Sequence, residues 1–343
     1  MYNLPLLTTA AAANNLLNNA VYFKNTIIEA SNARLDSYDV TDPLNIKNLA
    51  TISSTKPVIA TSGEYLIYCN ANTSLIGVYD KNLNVIAAPI LYPYSFPAIA
   101  SRNNKKRVAF TNHSAGTGIY IYDDNLALTT LTNIFASDVS EMMVDGDYLY
   151  YTRAQNQFVV SDMVGNYSLI TTQALSVVTC FESRNNLLFV GGALPSNYSA
   201  IEVYDVSAPL SPVYLYTIDL SSAFSTAAFM TNIAFDSTDY LLTCSTSGNS
   251  SHIAVIDFIN STVALVSVDG SGIGGTSVLN IFIGKYVVCC TAALFYILDG
   301  SAIYNYNQYF IDLANNDIIK NTIRLNSVVN HTRPISLLGK YKS

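Results

Sequence analysis

Short apolar runs of four to six residues, rich in Tyr, Val, Ile and Phe and separated by polar turn residues, recur along almost the whole chain. Runs of this length and composition read as strands rather than helices. One set ends in Asp: LDSYD (Asp39), IGVYD (Asp80), IYIYD (Asp123), FVVSD (Asp162), IEVYD (Asp205), IAVID (Asp257) and FYILD (Asp299). The steps between these aspartates are 41, 43, 39, 43, 52 and 42 residues, and a repeat near that length suits a four-stranded propeller blade.

Upstream of each Asp-terminated run lies a second apolar run: AVYF (from Ala20), YLIY (Tyr65), RVAF (Arg107), YLYY (Tyr148), LLFV (Leu187), YLLTC (Tyr240) and YVVCC (Tyr286). Turn signals precede five of these runs: Ser62-Gly63, Asn103-Asn104, Asp145-Gly146, Asn185-Asn186 and Gly284. Such residues accept the positive φ of tight hairpin turns, so each run is joined to a strand just before it. Those preceding strands begin at Pro57, Pro97, Glu141, Val178, Asn232 and Leu279, which gives six first strands for seven repeats.

The missing first strand is expected at the other end of the chain. RPISLLGKYKS, from Arg333, has the form of KPVIATSGEYLIY and copies Gly284-Lys285-Tyr286 in Gly339-Lys340-Tyr341. Pairing of that strand with the N-terminal blade would close a ring and remove its open edges. The expectation is an all-β, seven-bladed β-propeller: an N-terminal arm at 1–17, then one domain at 18–343. Its blades lie near 18–55, 56–96, 97–138, 139–176, 177–230, 231–277 and 278–332, and strand 333–341 completes the first. Added segments lie at the N-terminus, between Asp205 and Asn232, and after Asp299. On a repeat scaffold these are the expected docking elements.

Two repeats are alike over eighteen residues: LDSYDVTDPLNIKNLATI from Leu35 and IEVYDVSAPLSPVYLYTI from Ile201. They resemble the LVIVD-repeat propellers, whose unit reads as an apolar strand, Asp-Val-Ser-Asp-Pro and a second apolar strand. The other five repeats depart from this pattern in lacking the Pro. The resemblance implies a β-propeller, often surface-associated, and no catalytic residues.

Composition narrows the partners. Charged residues make up 12% of the 343 and the net charge is −7, with Lys105-Lys106-Arg107 the one basic run, which excludes a phosphate-neutralising nucleic-acid surface. The apolar stretch at 286–298 is shorter than the roughly 20 residues of a membrane-spanning helix, so no transmembrane segment is expected. No positive charge precedes the apolar patch of MYNLPLLTTAAAANN, unlike a secretory leader. The five cysteines follow no metal-ligand spacing and sit in apolar runs as small hydrophobes.

The search for chemistry is largely negative. GSGIGG (270–275) satisfies the dinucleotide fingerprint formally, but TSVLNIFIG after it reads as a strand, not a phosphate-binding helix. No nucleophile elbow, zinc-protease or Walker motif occurs, and no cofactor, metal or catalytic residue is assigned. Asp39, Asp80, Asp123, Asp162, Asp205, Asp257 and Asp299 read as turn residues accepting backbone hydrogen bonds. Candidate binding contacts are His113, Arg153, Tyr198 and His252, of which His113 and His252 both lie between a second and a third strand, on the same face of the ring. Seven N-x-S/T sequons occur at about the frequency composition alone gives.

A surface of Asn, Ser, Thr and Tyr with few charges differs from the charge-rich cytosolic type. The leading expectation is a non-enzymatic structural or attachment protein binding other protein subunits, in a virion of a prokaryotic virus. A secreted or cell-surface propeller binding a glycan or receptor is the alternative. A third reading is a glycosidase-type enzyme with carboxylates from separate blades.

Overall fold

The computed structural model describes residues 2–4, 6–11, 17–31, 33–54, 57–62, 65–70, 75–91, 99–100, 107–111, 119–123, 128–131, 139, 141–220, 229–235, 241–247, 253–257, 262–268, 279–290 and 294–301. They form an all-β propeller of four-stranded blades. Strands β1 (Tyr2–Leu4) and β2 (Leu6–Ala11) come first. The first sheet follows as β3 (Leu17–Phe23), β4 (Thr26–Ser31), β5 (Arg34–Asp39) and β6 (Lys47–Ser53). The second is β7 (Pro57–Ser62), β8 (Tyr65–Asn70), β9 (Leu75–Tyr79) and β10 (Val85–Leu91). The third is β11 (Ile99–Ala100), β12 (Arg107–Thr111), β13 (Ile119–Asp123) and β14 (Leu128–Leu131).

The fourth sheet holds β15 (Met142–Asp145), β16 (Tyr148–Ala154), β17 (Gln157–Asp162) and β18 (Tyr167–Thr171). The fifth holds β19 (Val177–Arg184), β20 (Leu187–Ala193), β21 (Ser199–Asp205) and β22 (Val213–Asp219). The sixth holds β23 (Phe229–Phe235), β24 (Leu241–Ser247), β25 (Ile253–Asp257) and β26 (Thr262–Val268). β27 (Leu279–Ile283), β28 (Tyr286–Cys290) and β29 (Leu294–Asp299) make up the seventh with β2 as fourth strand. The first six sheets are antiparallel meanders, with β1 added to β26 in parallel, and in the seventh β2 pairs antiparallel with β29 from across the sequence.

First strands touch first strands at six of the seven junctions, β27 meeting β3, and between the third and fourth sheets β15 meets the second strand β12. Fourth strands therefore form the rim. The core is a set of apolar layers between neighbouring sheets. Phe158 and Tyr150 of the fourth meet Phe181, Leu188 and Tyr204 of the fifth, and Ile27 and Tyr38 of the first meet Val288, Phe295 and Ile297 of the seventh. Edge-to-face ring pairs sit in these layers, Phe158 on Tyr204 at 5.4 Å and Tyr38 on Phe295 at 4.9 Å.

Three expectations are corrected. AVYF is not a second strand: it lies in β3, the first strand of its sheet, and TIIEAS is the second. Lys24 (φ 49°) and Asn25 (φ 62°) make the two-residue turn between them, with Tyr22 Oη donating to Asn25 Oδ1 at 2.9 Å. The first sheet is thus complete from residues 17–53 and needs no strand from the C-terminus. The described part of the expected 1–17 arm is correspondingly part of the ring: β2 pairs antiparallel with β29, from Leu6↔Leu298 to Ala11↔Leu294, and it is this N-terminal strand that completes the seventh sheet. Segment 333–341 lies outside the described residues, as do 221–228 of the insertion and everything after Ser301.

Candidate interaction surface

The third-strand aspartates stand where hydrogen-bonded turns begin. Asp39 Oδ1 accepts from Thr41 N at 2.9 Å, Asp205 Oδ1 from Ser207 N at 2.8 Å and Asp299 Oδ1 from Ser301 N at 2.9 Å. Asp80 and Asp162 hold a larger version. Asp80 Oδ1 accepts from Asn82 N and Asn84 N, and its Oδ2 from Asn84 Nδ2, at 2.8–2.9 Å. Asp162 does the same with Val164 and Asn166. Hydrogen bonds from the Thr41 side chain and N–H hold the Asp39 carboxyl below its ordinary range, and those from Ser301 act alike on Asp299. At Asp80 desolvation pushes upward and the Asn84 and Asn82 bonds outweigh it. In the first sheet Asp42 caps the Pro43–Asn45 turn through Leu44 N, which accounts for the Asp-Pro-Leu of that repeat. Asp123 and Asp257 end β13 and β25 in the same place.

The buried carboxylates hold sheets together. Glu202, fully buried in β21, accepts through Oε1 from Leu175 N at 3.0 Å and from Ala174 N, and through Oε2 from the Tyr204 hydroxyl. It thereby fixes the connection between the fourth and fifth sheets. Asp36 is the same residue of the first repeat; it accepts from Thr51 Oγ1 at 2.6 Å and pairs with Arg34 Nε at 2.8 Å. Glu29 stands opposite Asp36 across β4 and β5, and Cys290 Sγ of the seventh sheet donates to its Oε1 at 2.9 Å. Burial, with Glu29 beside it, raises the Cys290 thiol. Ser183 joins two carboxylates from neighbouring first strands, donating its Oγ to Asp145 at 2.7 Å and its N–H to Glu182 at 3.1 Å.

Of the candidate binding contacts, Arg153 is the last residue but one of β16 and Tyr198 lies half-buried in the β20–β21 turn, in adjacent sheets and at equivalent hairpins. His113, His252 and the glycine run at 270–275 lie outside the described residues. Among the described residues no cluster of His, Cys, Asp and Glu could hold a metal, and no helix is long and apolar enough to cross a membrane.

Sequence reading missed the rim. Large apolar side chains stand exposed on fourth strands or their turns: Leu49, Val85 and Ile86, Val164, Tyr167 and Leu169, and Val213, Tyr214 and Leu215. The signal was present, since β6, β18 and β22 alternate or run apolar with few charges although a fourth strand has only one neighbour to bury against. Exposed apolar area gathered on such a surface marks an interaction site.

No protein-family model matches the chain, and no curated protein does, so the likeness to the LVIVD repeat rests on the two eighteen-residue stretches alone. Solved structures do match, and the fold they share with this chain is the β-propeller. The Cps50 (Swd1) β-propeller domain of Myceliophteria thermophila is 10% identical with a TM-score of 0.62, over 84% of this chain and 99% of that one. The WD40 repeats of RRP9 are 9% identical with a TM-score of 0.64, over 85% and 97%. A chain of a mitotic checkpoint complex is 14% identical with a TM-score of 0.64, over 87% and 95%. At such identities the likeness is one of fold.

Proposed function

We propose that this chain is a seven-bladed, non-catalytic propeller that serves as a protein-interaction platform, and that it does so as a structural or attachment subunit of a prokaryotic virus particle. The observation that carries the platform reading is the rim, where apolar side chains face solvent on the first, second, fourth, fifth and seventh sheets. Neighbours in known structures with this architecture support it, one of them a chain of a multiprotein complex. The buried acids Glu29, Asp36 and Glu202 have structural partners, and the Asp145–Ser183–Glu182 group is a link between sheets, which favours a scaffold over a hydrolase.

The virion half rests on the low-charge, hydroxyl- and Tyr-rich composition, which suits an exterior that docks against other subunits. Intact-mass and peptide analysis of purified particles from the native source tests it. The chain is expected in the particle fraction at a fixed ratio to the major subunit. Recovery only in a secreted or cell-surface fraction would replace the virion with the extracellular binding module and leave the platform intact.

A further inference from the structure

The rim edges are not treated alike. In four fourth strands one extra residue is inserted at the same place, opposite the two residues before the third-strand Asp: Leu7 in β2, Leu49 in β6, Ile86 in β10 and Leu215 in β22. Each is a large aliphatic side chain, 40–49% exposed. A bulge breaks the ladder and twists the strand, so these four edges are poor templates for another strand. A fifth edge, β26, pairs regularly with β25 and is covered by the chain's own β1, with Tyr2↔Val266 and Leu4↔Val268.

Two edges remain, β14 and β18, in adjacent sheets. Both pair without a register shift, from Ile119↔Leu131 to Tyr122↔Leu128 and from Gln157↔Thr171 to Ser161↔Tyr167. No strand among the described residues pairs with their outer sides. β18, YSLIT, has neither a charge nor a proline to discourage pairing, and Tyr167, Leu169 and Thr171 share one exposed face. Val164, 83% exposed, extends that apolar surface into the preceding turn.

We propose that β18 is a strand-docking edge and that its occupant is β18 of a second copy of this chain, paired antiparallel about a two-fold axis through Leu169. The strand is its own complement in that register. Leu169 lies opposite Leu169 of the partner subunit, Tyr167 opposite Thr171 of the partner subunit, and no like charges meet. β1 on β26 is the precedent within the molecule for a rim edge that accepts an extended segment. The proposal deepens the platform reading and rests on it, since it names one partner of the rim.

Light scattering of the full chain from about 1 to 100 μM tests it, over a range that spans weak association. Wild type is expected to reach twice the chain mass. Leu169→Lys and Leu169→Glu, which oppose like charges at the axis, are each expected to be monomeric, and their 1:1 mixture to recover the dimer. Leu215→Lys, on a bulged edge, is expected to dimerise as wild type does. Far-UV circular dichroism checks folding, and Tyr167→Lys repeats the monomer test should a Leu169 variant fail to fold. A monomeric wild type, a dimer untouched by the Leu169 or Tyr167 variants, or a mixture that stays monomeric overturns the proposal. Presence of a monomeric chain in particles would sink the strand pairing while leaving the platform reading standing.

Discussion

Replacing Glu202 by Ala would remove an acceptor from three donors at once. Leu175 N–H and the Tyr204 hydroxyl are buried, whereas Ala174 N–H is half-buried and open to hydration. A buried donor left without a partner costs about 1–3 kcal/mol. Two such donors, with a partial loss at the third, give a destabilisation of about 2–6 kcal/mol, against a domain stability of roughly 5–15 kcal/mol. Glu202→Gln keeps an oxygen for the two backbone donors and turns its amide to Tyr204, whose hydroxyl can rotate to accept; its cost is expected at about 1–2 kcal/mol. Urea unfolding followed by far-UV circular dichroism reads both, since the chain has no Trp. A loss under about 1 kcal/mol for the Ala variant would refute the assignment, as would a Gln variant as damaged as the Ala one.

Glycines test the same layers sterically. A Cβ at Gly192 would lie 1.9 Å from the Val177 carbonyl oxygen, and one at Gly191 would meet Met230 Sδ, Cys180 Sγ and Ile233 Cδ1 at 2.5–2.6 Å. Gly191→Ala, which asks side chains to move, should cost about 1–3 kcal/mol, and Gly192→Ala, which asks the backbone to move, should cost more in the same urea assay. The turn aspartates predict an acid limb. Folded carboxyls held below 3.8 stabilise the protein above that pH, and the gain is lost as pH falls through the lowered values. The urea midpoint should therefore be flat above about pH 5 and fall below it, less steeply in Asp39→Asn/Asp299→Asn; an unchanged slope would exclude these turns as the source. Desolvation pushes the Cys69 thiol up to about 12 and raises those of Cys289 and Cys290. At pH 8 a thiol reagent should leave all three unlabelled in the folded chain and label them in urea, read by peptide mass spectrometry; rapid labelling of folded Cys69 would contradict its burial.

The readable part of the fold is the part made by local chemistry. Asn185-Asn186 (φ 52° and 62°), Gly146 and Gly284 are in the left-handed region their residue types favour, so hairpins between first and second strands could be placed from turn residues. Lys24-Asn25 makes the same turn with a residue that gives no such signal. TIIEAS, buried at every position, lacks the aromatic residue that most second strands carry, and AVYF, with two, reads as the second strand in its place. The pairing of β2 with β29 joins segments almost 300 residues apart, and no local pattern encodes it. The rim bulges were legible only as exposed aliphatic residues at fixed distances from the third-strand Asp, a signal that becomes specific once the strand registers are known.

Asp36 and Glu202 carry this furthest, because they are one position of the repeat with two jobs. Both lie three residues before the turn Asp, both are buried, and both face a Thr of the fourth strand, Thr51 and Thr217. Glu202, one methylene longer, reaches the connection at 174–175 that leads in from the fourth sheet. Asp36 stays within its own sheet, bound to Thr51 and Arg34, and the reach towards the seventh sheet passes to Glu29 and its bond with Cys290. That seam joins the first sheet to the seventh, which takes its fourth strand from β2. The repeats therefore match where each must make its own turn and differ where each must meet its neighbour. The departures that remain on the outside, four bulged edges, one covered edge and two regular ones, have no neighbouring sheet to meet, which makes the rim the place to look for a partner from outside the ring.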